Sequence, residues 1–121
     1  MWLLDANMDV HLTSVLAEFG IASETAADRG WKALSNGQLV AAAVASGFNC
    51  LLTRDRLFGQ SAARALRLHS TFTVILINLP QQRWPEYRED FLKAWAFSPI
   101  LPQAGCLVEW PKGNSPETLT I

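Results

Sequence analysis

Phe48-Asn49-Cys50-Leu51-Leu52-Thr53-Arg54-Asp55-Arg56 changes character in one step: a mostly apolar, strand-length run ends directly in three charged residues. An apolar run this short, bounded by polar sequence, suits a buried strand better than a helix. The charged residues then fall where the end of a sheet meets solvent. The same step occurs at the start of the chain, where Met1-Trp2-Leu3-Leu4 runs into Asp5. Between the two runs, Leu12, Val15, Leu16 and Phe19 recur at helical spacing and give that segment a core-facing stripe. Gly20 supplies a helix stop because glycine enters the left-handed backbone region without steric cost. Ile21–Ala26 returns as a second strand. Strand, helix and strand in this order read as a βαβ unit, the signature of a parallel sheet.

The pattern continues outward. Asp28-Arg29-Gly30-Trp31-Lys32-Ala33-Leu34 combines turn and packing residues, and Ser35 or Asn36 caps a helix that carries Leu39, Val40, Ala43 and Val44 and closes at Gly47. A short helix is expected through Ser61–Leu68, then a strand through Phe72–Leu79 that Pro80 ends. Pro85 opens a further helix, since its missing amide hydrogen is tolerated at the first helical position. Trp84, Tyr87, Phe91 and Trp95 form an aromatic stripe, read as packing against the sheet rather than as a platform for stacking bases. Pro99 and Pro102 interrupt the chain before Gly105–Trp110, a short edge strand, and the turn-rich residues 111–121 read as peripheral.

With 121 residues, half of them hydrophobic, the chain is sized for one domain over 1–121 with a single substantial core. No apolar stretch is long enough for a membrane span and no secretory leader pattern opens the sequence, so a cytoplasmic protein is expected. A net charge of −1 gives no general attraction to nucleic acid. Cys50 and Cys106 form no CxxC pattern and are expected as reduced, packed thiols. His11 and His69 form no metal motif. Gly30, Gly37 and Gly47 are separate turn or helix-end residues, which argues against dinucleotide and P-loop chemistry.

Leu3-Leu4-Asp5-Ala6-Asn7-Met8, Asp28-Arg29-Gly30-Trp31, Ser35-Asn36-Gly37-Gln38-Leu39 and Leu51-Leu52-Thr53-Arg54-Asp55-Arg56-Leu57-Phe58 together resemble the DUF5615 group of PIN-like proteins. The last is the sharpest match, a Thr-Arg-Asp sequence followed by an aromatic residue. The resemblance covers residues 2–58 and extends less specifically through the Phe72–Leu79 strand. It implies an α/β, PIN-like three-layer domain with a predominantly parallel central sheet, and an acidic metal centre at the carboxyl ends of the strands. It further implies a metal-dependent ribonuclease, an endonuclease in a toxin–antitoxin setting, with RNA and a cognate antitoxin as partners and a small homodimer as its assembly.

Asp5 and Asp55, each just beyond a strand, are the candidate catalytic and metal-binding residues. Carboxylate oxygens suit Mg²⁺ or Mn²⁺, which stabilise charge on a transferring phosphoryl group and acidify water. Either aspartate can instead cap a helix or brace a loop. Asn7 and Asn36 stand where the family often has acids and are possible neutral supports; each is also explained as a cap. Asp9 or Glu24 can replace the lost charge if folding brings one near Asp5. Thr53 can position water or phosphate, or serve only as a strand residue. Arg54 and Arg56 are candidate phosphate contacts, and Arg64 and Arg67 extend the basic interval. With two amides in place of acids, the metal is expected to be held weakly until RNA phosphate completes its shell. The alternative is a catalytically degenerate PIN-like protein that binds protein or RNA as a regulator.

Overall fold

In the computed structural model, which describes residues 1–112 and only the backbone of Gly59 and Gln60, strands and helices alternate along the chain. They are β1 (Trp2–Leu4), α1 (Leu12–Glu18), β2 (Ser23–Thr25), α2 (Asn36–Ala45), β3 (Cys50–Thr53), α3 (Arg56–Leu68), β4 (Thr73–Ile77), α4 (Trp84–Phe97) and β5 (Leu107–Trp110). The strands form one sheet in the order β2-β1-β3-β4-β5. Every neighbouring pair is parallel, with Leu4 opposite both Thr25 and Leu52, and Thr53 opposite Leu76. Residues 113–121, most of the segment expected to be peripheral, lie outside the described residues.

Side chains alternate across the sheet and divide the core into two layers. On one face Trp2, Leu4, Cys50, Leu52, Ile75, Ile77 and Trp110 pack against α1 and α4. On the other, Leu3, Leu51 and Val74 pack against α2 and α3 through Leu39, Val40, Phe58 and Leu66. The result is a three-layer α/β domain.

This division gives the last crossover an unusual hand. Passing from β2 to β3, β4 and β5, the chain steps across the sheet in one direction. The helices α2 and α3 cover one face, whereas α4 covers the other. The β4–α4–β5 unit is therefore opposite in hand to the three before it, against the strong preference for a single hand. Apolar burial explains the exception. The seven-residue α1 cannot cover the sheet alone, and α4 brings Tyr87, Phe91 and Trp95 over a surface that includes Ile75, Ile77 and Trp110. Trp110 Nε1 fixes the docking by donating to Ser98 O at 2.7 Å. The aromatic stripe is thus core packing, as its spacing predicts.

Local chemistry sets the remaining boundaries. Ser35, not Asn36, is the cap of α2: its hydroxyl accepts from Gln38 N while the Gln38 side chain accepts from Ser35 N. α3 begins at Arg56 rather than near Ser61, because Asp55 caps it through Leu57 N at 2.9 Å. Gly20 adopts φ +78° as its place at the end of α1 requires. Cys50 is buried, but Cys106 is exposed in a turn, which corrects the expectation that both thiols are packed. Its turn depends on Gly105, at φ +75° with a Cβ position only 3.1 Å from Ser70 O.

Candidate functional site

In an open parallel sheet, crevices form beyond the carboxyl ends of adjacent strands whose following helices leave to opposite faces. Three pairs meet this condition, β2/β1, β1/β3 and β3/β4, and the last two carry the residues of interest. One lies between β1, followed by α1, and β3, followed by α3; the other lies between β3 and β4, which is followed by α4. Asp5 and Asn7 follow β1, Arg54 to Arg56 follow β3, and Asn78 follows β4. Asp5, Asn7 and Arg54 to Arg56, among the residues singled out in the sequence, therefore gather at the edge where this fold makes crevices.

Thr53, fully buried at the end of β3, ties the first crevice together. Its hydroxyl donates to Asp5 Oδ2 at 2.7 Å and accepts from Asp55 N at 3.1 Å and Asn7 Nδ2 at 3.4 Å. One donor and two acceptor sites are all a hydroxyl has, so Thr53 is saturated by this site. Asn7 closes the ring by accepting from Arg54 N through Oδ1 at 3.2 Å. A carboxylate at position 7 could accept from Arg54 N but could not donate to Thr53. The amide therefore has a bonding role of its own here.

The two aspartates keep coordination capacity. Asp5 Oδ1 accepts from Ala6 N at 2.8 Å and Oδ2 from Thr53, leaving further lone pairs on both oxygens. Asp55 commits Oδ1 to the α3 cap, and no hydrogen bond to its Oδ2 occurs among the described residues. Mg²⁺ commonly takes one or two carboxylates, retains several waters and accepts phosphate oxygens. Asp5 and Asp55 fit that donor set, with Asn7 nearby as a neutral oxygen. Among the described residues no group of three His, Cys, Asp or Glu side chains converges as a metal cluster.

The other acids and the second asparagine point elsewhere. Asn36 Nδ2 donates to Ser61 Oγ at 3.2 Å, joining α2 to α3, and has no hydrogen bond to the Thr53 network. Glu24 is held by Arg29 Nε and Nη2 at 2.7 and 3.1 Å; that hydrogen bonding keeps its carboxyl below the usual range. Asp9 accepts from His11 N at 2.9 Å and meets His11 Nδ1 at 2.7 Å. Neither acid joins the Asp5 network by a hydrogen bond.

The two arginines differ in availability. Arg56 Nη2 donates to Asn78 Oδ1 at 3.0 Å and Nη1 lies 3.8 Å from Glu109. The Arg54 guanidinium has no ion pair or hydrogen bond among the described residues. Arg54 lines two open clefts. One, of about 180 Å³, is bordered by Asn7, Met8, Asp9, Gln81, Gln82 and Tyr87. The other, of about 330 Å³, is bordered by Arg56 and Ile77 to Pro80. Arg64 and Arg67 lie further along α3, on its exposed side.

Sequence reasoning assigned Tyr87 to the core and did not anticipate the state of its hydroxyl. Its ring is buried, yet its hydroxyl is buried without a hydrogen-bond partner and the residue borders the smaller cleft. The available signal is that Tyr87 is the only tyrosine of the chain, placed in a stripe otherwise made of tryptophan and phenylalanine. A buried phenol usually has a partner.

Among the described residues, no helix is long and apolar enough to cross a membrane. Comparison of the chain with protein-family models, curated proteins and solved structures finds no match in any of the three. The structure itself establishes an α/β three-layer domain whose all-parallel five-stranded sheet carries acidic, amide and basic side chains at one edge.

Proposed function

We propose that this protein is a PIN-like, divalent-metal-dependent ribonuclease, an endonuclease of the kind found in toxin–antitoxin pairs. The observation that carries the reading is the Thr53 hydroxyl, which hydrogen-bonds both the Asp5 carboxylate and the Asp55 backbone at the β1/β3 crevice. It couples two carboxylate residues that are 50 positions apart in sequence. Asp5 and Asp55 would hold Mg²⁺ or Mn²⁺, with Thr53 orienting Asp5. The metal would supply charge stabilisation on the phosphoryl group and a more acidic water. Arg54 provides an unpaired guanidinium for substrate phosphate, where planar donors are effective. The two-carboxylate set predicts weak metal binding without RNA.

The experiment is cleavage of a structured RNA by the purified protein with Mg²⁺, with Mn²⁺ and with chelator. Asp55→Asn is the informative variant, because asparagine retains helix capping while removing the charge. Metal-dependent cleavage that Asp55→Asn abolishes, in a protein that still unfolds like wild type, is the expected result. Cleavage unchanged by Asp55→Asn would remove that residue from the site.

A second reading, a degenerate PIN-like RNA-binding regulator, is favoured by Asn7, whose amide is used in both hydrogen-bonding directions. RNA binding without metal-dependent cleavage is the outcome that selects it.

A further inference from the structure

The metal reading occupies the β1/β3 crevice and leaves the β3/β4 crevice unused. This second crevice exists because of the reversed crossover: α3 follows β3 onto one face of the sheet and α4 follows β4 onto the other. It opens as the cleft of about 330 Å³ bordered by Arg54, Arg56 and Ile77 to Pro80, and among the described residues no acidic side chain lines it. Two arginines on one wall concentrate positive charge in a chain whose net charge is −1. Side chains from the end of β4 and from β5 set Arg56 in place. Its Nη2 donates to Asn78 Oδ1 at 3.0 Å, and Asn78 Nδ2 donates in turn to Glu109 Oε1 and Pro111 O, both at 3.4 Å. The Arg56 side chain is still 72% exposed, so a ligand in the open cleft can reach its guanidinium.

The complementary ligand is a phosphate. An arginine carries about five N–H donors in a planar fork suited to phosphate oxygens. Among the described residues, Arg56 commits one donor to Asn78 and Arg54 commits none. Glu109 Oε1 lies 3.8 Å from Arg56 Nη1, too far for a hydrogen bond, so it lowers the local charge without taking up a donor. The cleft volume equals that of about eleven liquid waters, which is room for a phosphate with its ribose. Leu79 and Pro80 give the cleft an apolar wall that suits the face of a sugar or base better than a free inorganic anion. The two crevices share β3, and adjacent strands lie about 4.8 Å apart. A polynucleotide with one phosphate at the Asp5–Asp55 centre therefore reaches the second cleft with its neighbouring nucleotide.

We infer that the β3/β4 cleft is a nucleotide subsite, in which Arg56 and Arg54 bind a backbone phosphate of the RNA strand next to the one at the metal centre. Asn78 is the positioning residue that aims Arg56, and Glu109 is the nearby negative charge that holds the affinity down. The choice of RNA as the source of the phosphate rests on the ribonuclease reading; the phosphate chemistry of the cleft does not.

The test is fluorescence anisotropy of a labelled, noncleavable 2′-O-methyl oligoribonucleotide over a salt series, with chelator present so that metal makes no contribution. Wild type is expected to bind, with an affinity that falls steeply as salt rises. Arg56→Gln should weaken binding about tenfold and lower the salt slope by about 0.7, the single-strand value for one phosphate contact. Arg56→Lys should keep the slope yet bind about threefold more weakly than wild type, because an ammonium lacks the fork that spans Asn78 and phosphate. Asn78→Ala should also weaken binding about threefold with the slope unchanged, since it removes the aim of Arg56 and not its charge. Glu109→Gln keeps an oxygen for Asn78 and removes the charge, so it should tighten binding about twofold or more. Arg67 lies eleven residues along α3 from Arg56, about 16 Å away, and Arg67→Gln should bind within about twofold of wild type. Thermal unfolding should stay near wild type throughout, because none of these side chains is buried. Wild-type affinity and slope in Arg56→Gln would overturn the inference, as would weaker binding by Glu109→Gln or an equal loss in Arg67→Gln. Each of those results leaves the Asp5–Asp55 reading untouched, because chelator excludes the metal from the assay. If wild type ignores the oligonucleotide but binds uridine monophosphate through Arg56, the phosphate cleft stands and the RNA assignment fails. Binding of neither probe rejects both.

Discussion

Replacing Thr53 by valine removes one hydroxyl from a fully buried position and changes the shape of the side chain little. Strand propensity and hydrophobicity both favour valine, so local considerations predict a neutral or stabilising change. The hydrogen bonds predict the opposite. The bond to Asp5 Oδ2, at 2.7 Å, joins a hydroxyl to a carboxylate. Bonds to charged groups contribute about 1.5–3 kcal/mol, and stranding the partly buried Asp55 N–H adds about 1 kcal/mol. The 3.4 Å contact from Asn7 is too long to add much. Allowing for the apolar gain, Thr53→Val should cost about 2–3 kcal/mol. Thr53→Ser keeps every hydrogen bond and loses one buried methyl, for about 1 kcal/mol. Urea unfolding resolves the two, since a loss of 2–3 kcal/mol moves the midpoint by roughly 1–2 M at ordinary m-values. A cycle combining Thr53→Val with Asp5→Ala should show a coupling of about 1 kcal/mol or more. A valine variant as stable as wild type, or more stable than the serine variant, would refute the view that Thr53 organises the site.

Two further predictions concern the scaffold and the cleft. Ser35→Ala dismantles the capping box of α2 and should cost about 1 kcal/mol in urea unfolding, whereas Asn36→Ala should leave that cap intact. Because Tyr87 is the only tyrosine, absorbance of phenolate in the folded protein reports it alone, and ionisation should be centred near 12 rather than at the ordinary value. The sign for stability follows from linkage: above the unfolded tyrosine's pKa and below 12, the folded state retains a proton that the unfolded state has lost, so stability falls as pH rises through this window. An ordinary tyrosine titration in the folded protein would show that the hydroxyl is not buried.

The strand and helix sequence was legible because periodicity changes sharply between apolar runs such as Leu51-Leu52 and helical stripes such as Leu12, Val15 and Leu16. The placement of α4 was not. A general rule of handedness points to the wrong face, and only the distribution of apolar surface over the folded sheet accounts for where its aromatic residues go. The early start of α3 was hidden because Arg54-Asp55-Arg56 looks like a polar loop, although Asp55 caps the helix. At the edge of the sheet, Asp5, Asn7, Thr53 and Asp55 could be nominated together since each ends or follows a strand. Asn36 looked equivalent, but its hydrogen bond reaches Ser61 across the helical layer. The Tyr87 hydroxyl could not be nominated at all, because lacking a partner is a property of the folded environment and leaves no local pattern.

The proposed function has Asp5 and Asp55 share a divalent cation whose shell is completed by RNA phosphate. Titration of Mn²⁺ into the full chain, followed by calorimetry with and without the noncleavable oligonucleotide, tests it directly. Weak binding alone, at least tenfold tighter binding with RNA, and loss of that gain in both Asp5→Asn and Asp55→Asn is the predicted result. Mn²⁺ affinity that RNA does not raise, or that survives both substitutions in folded protein, would contradict it.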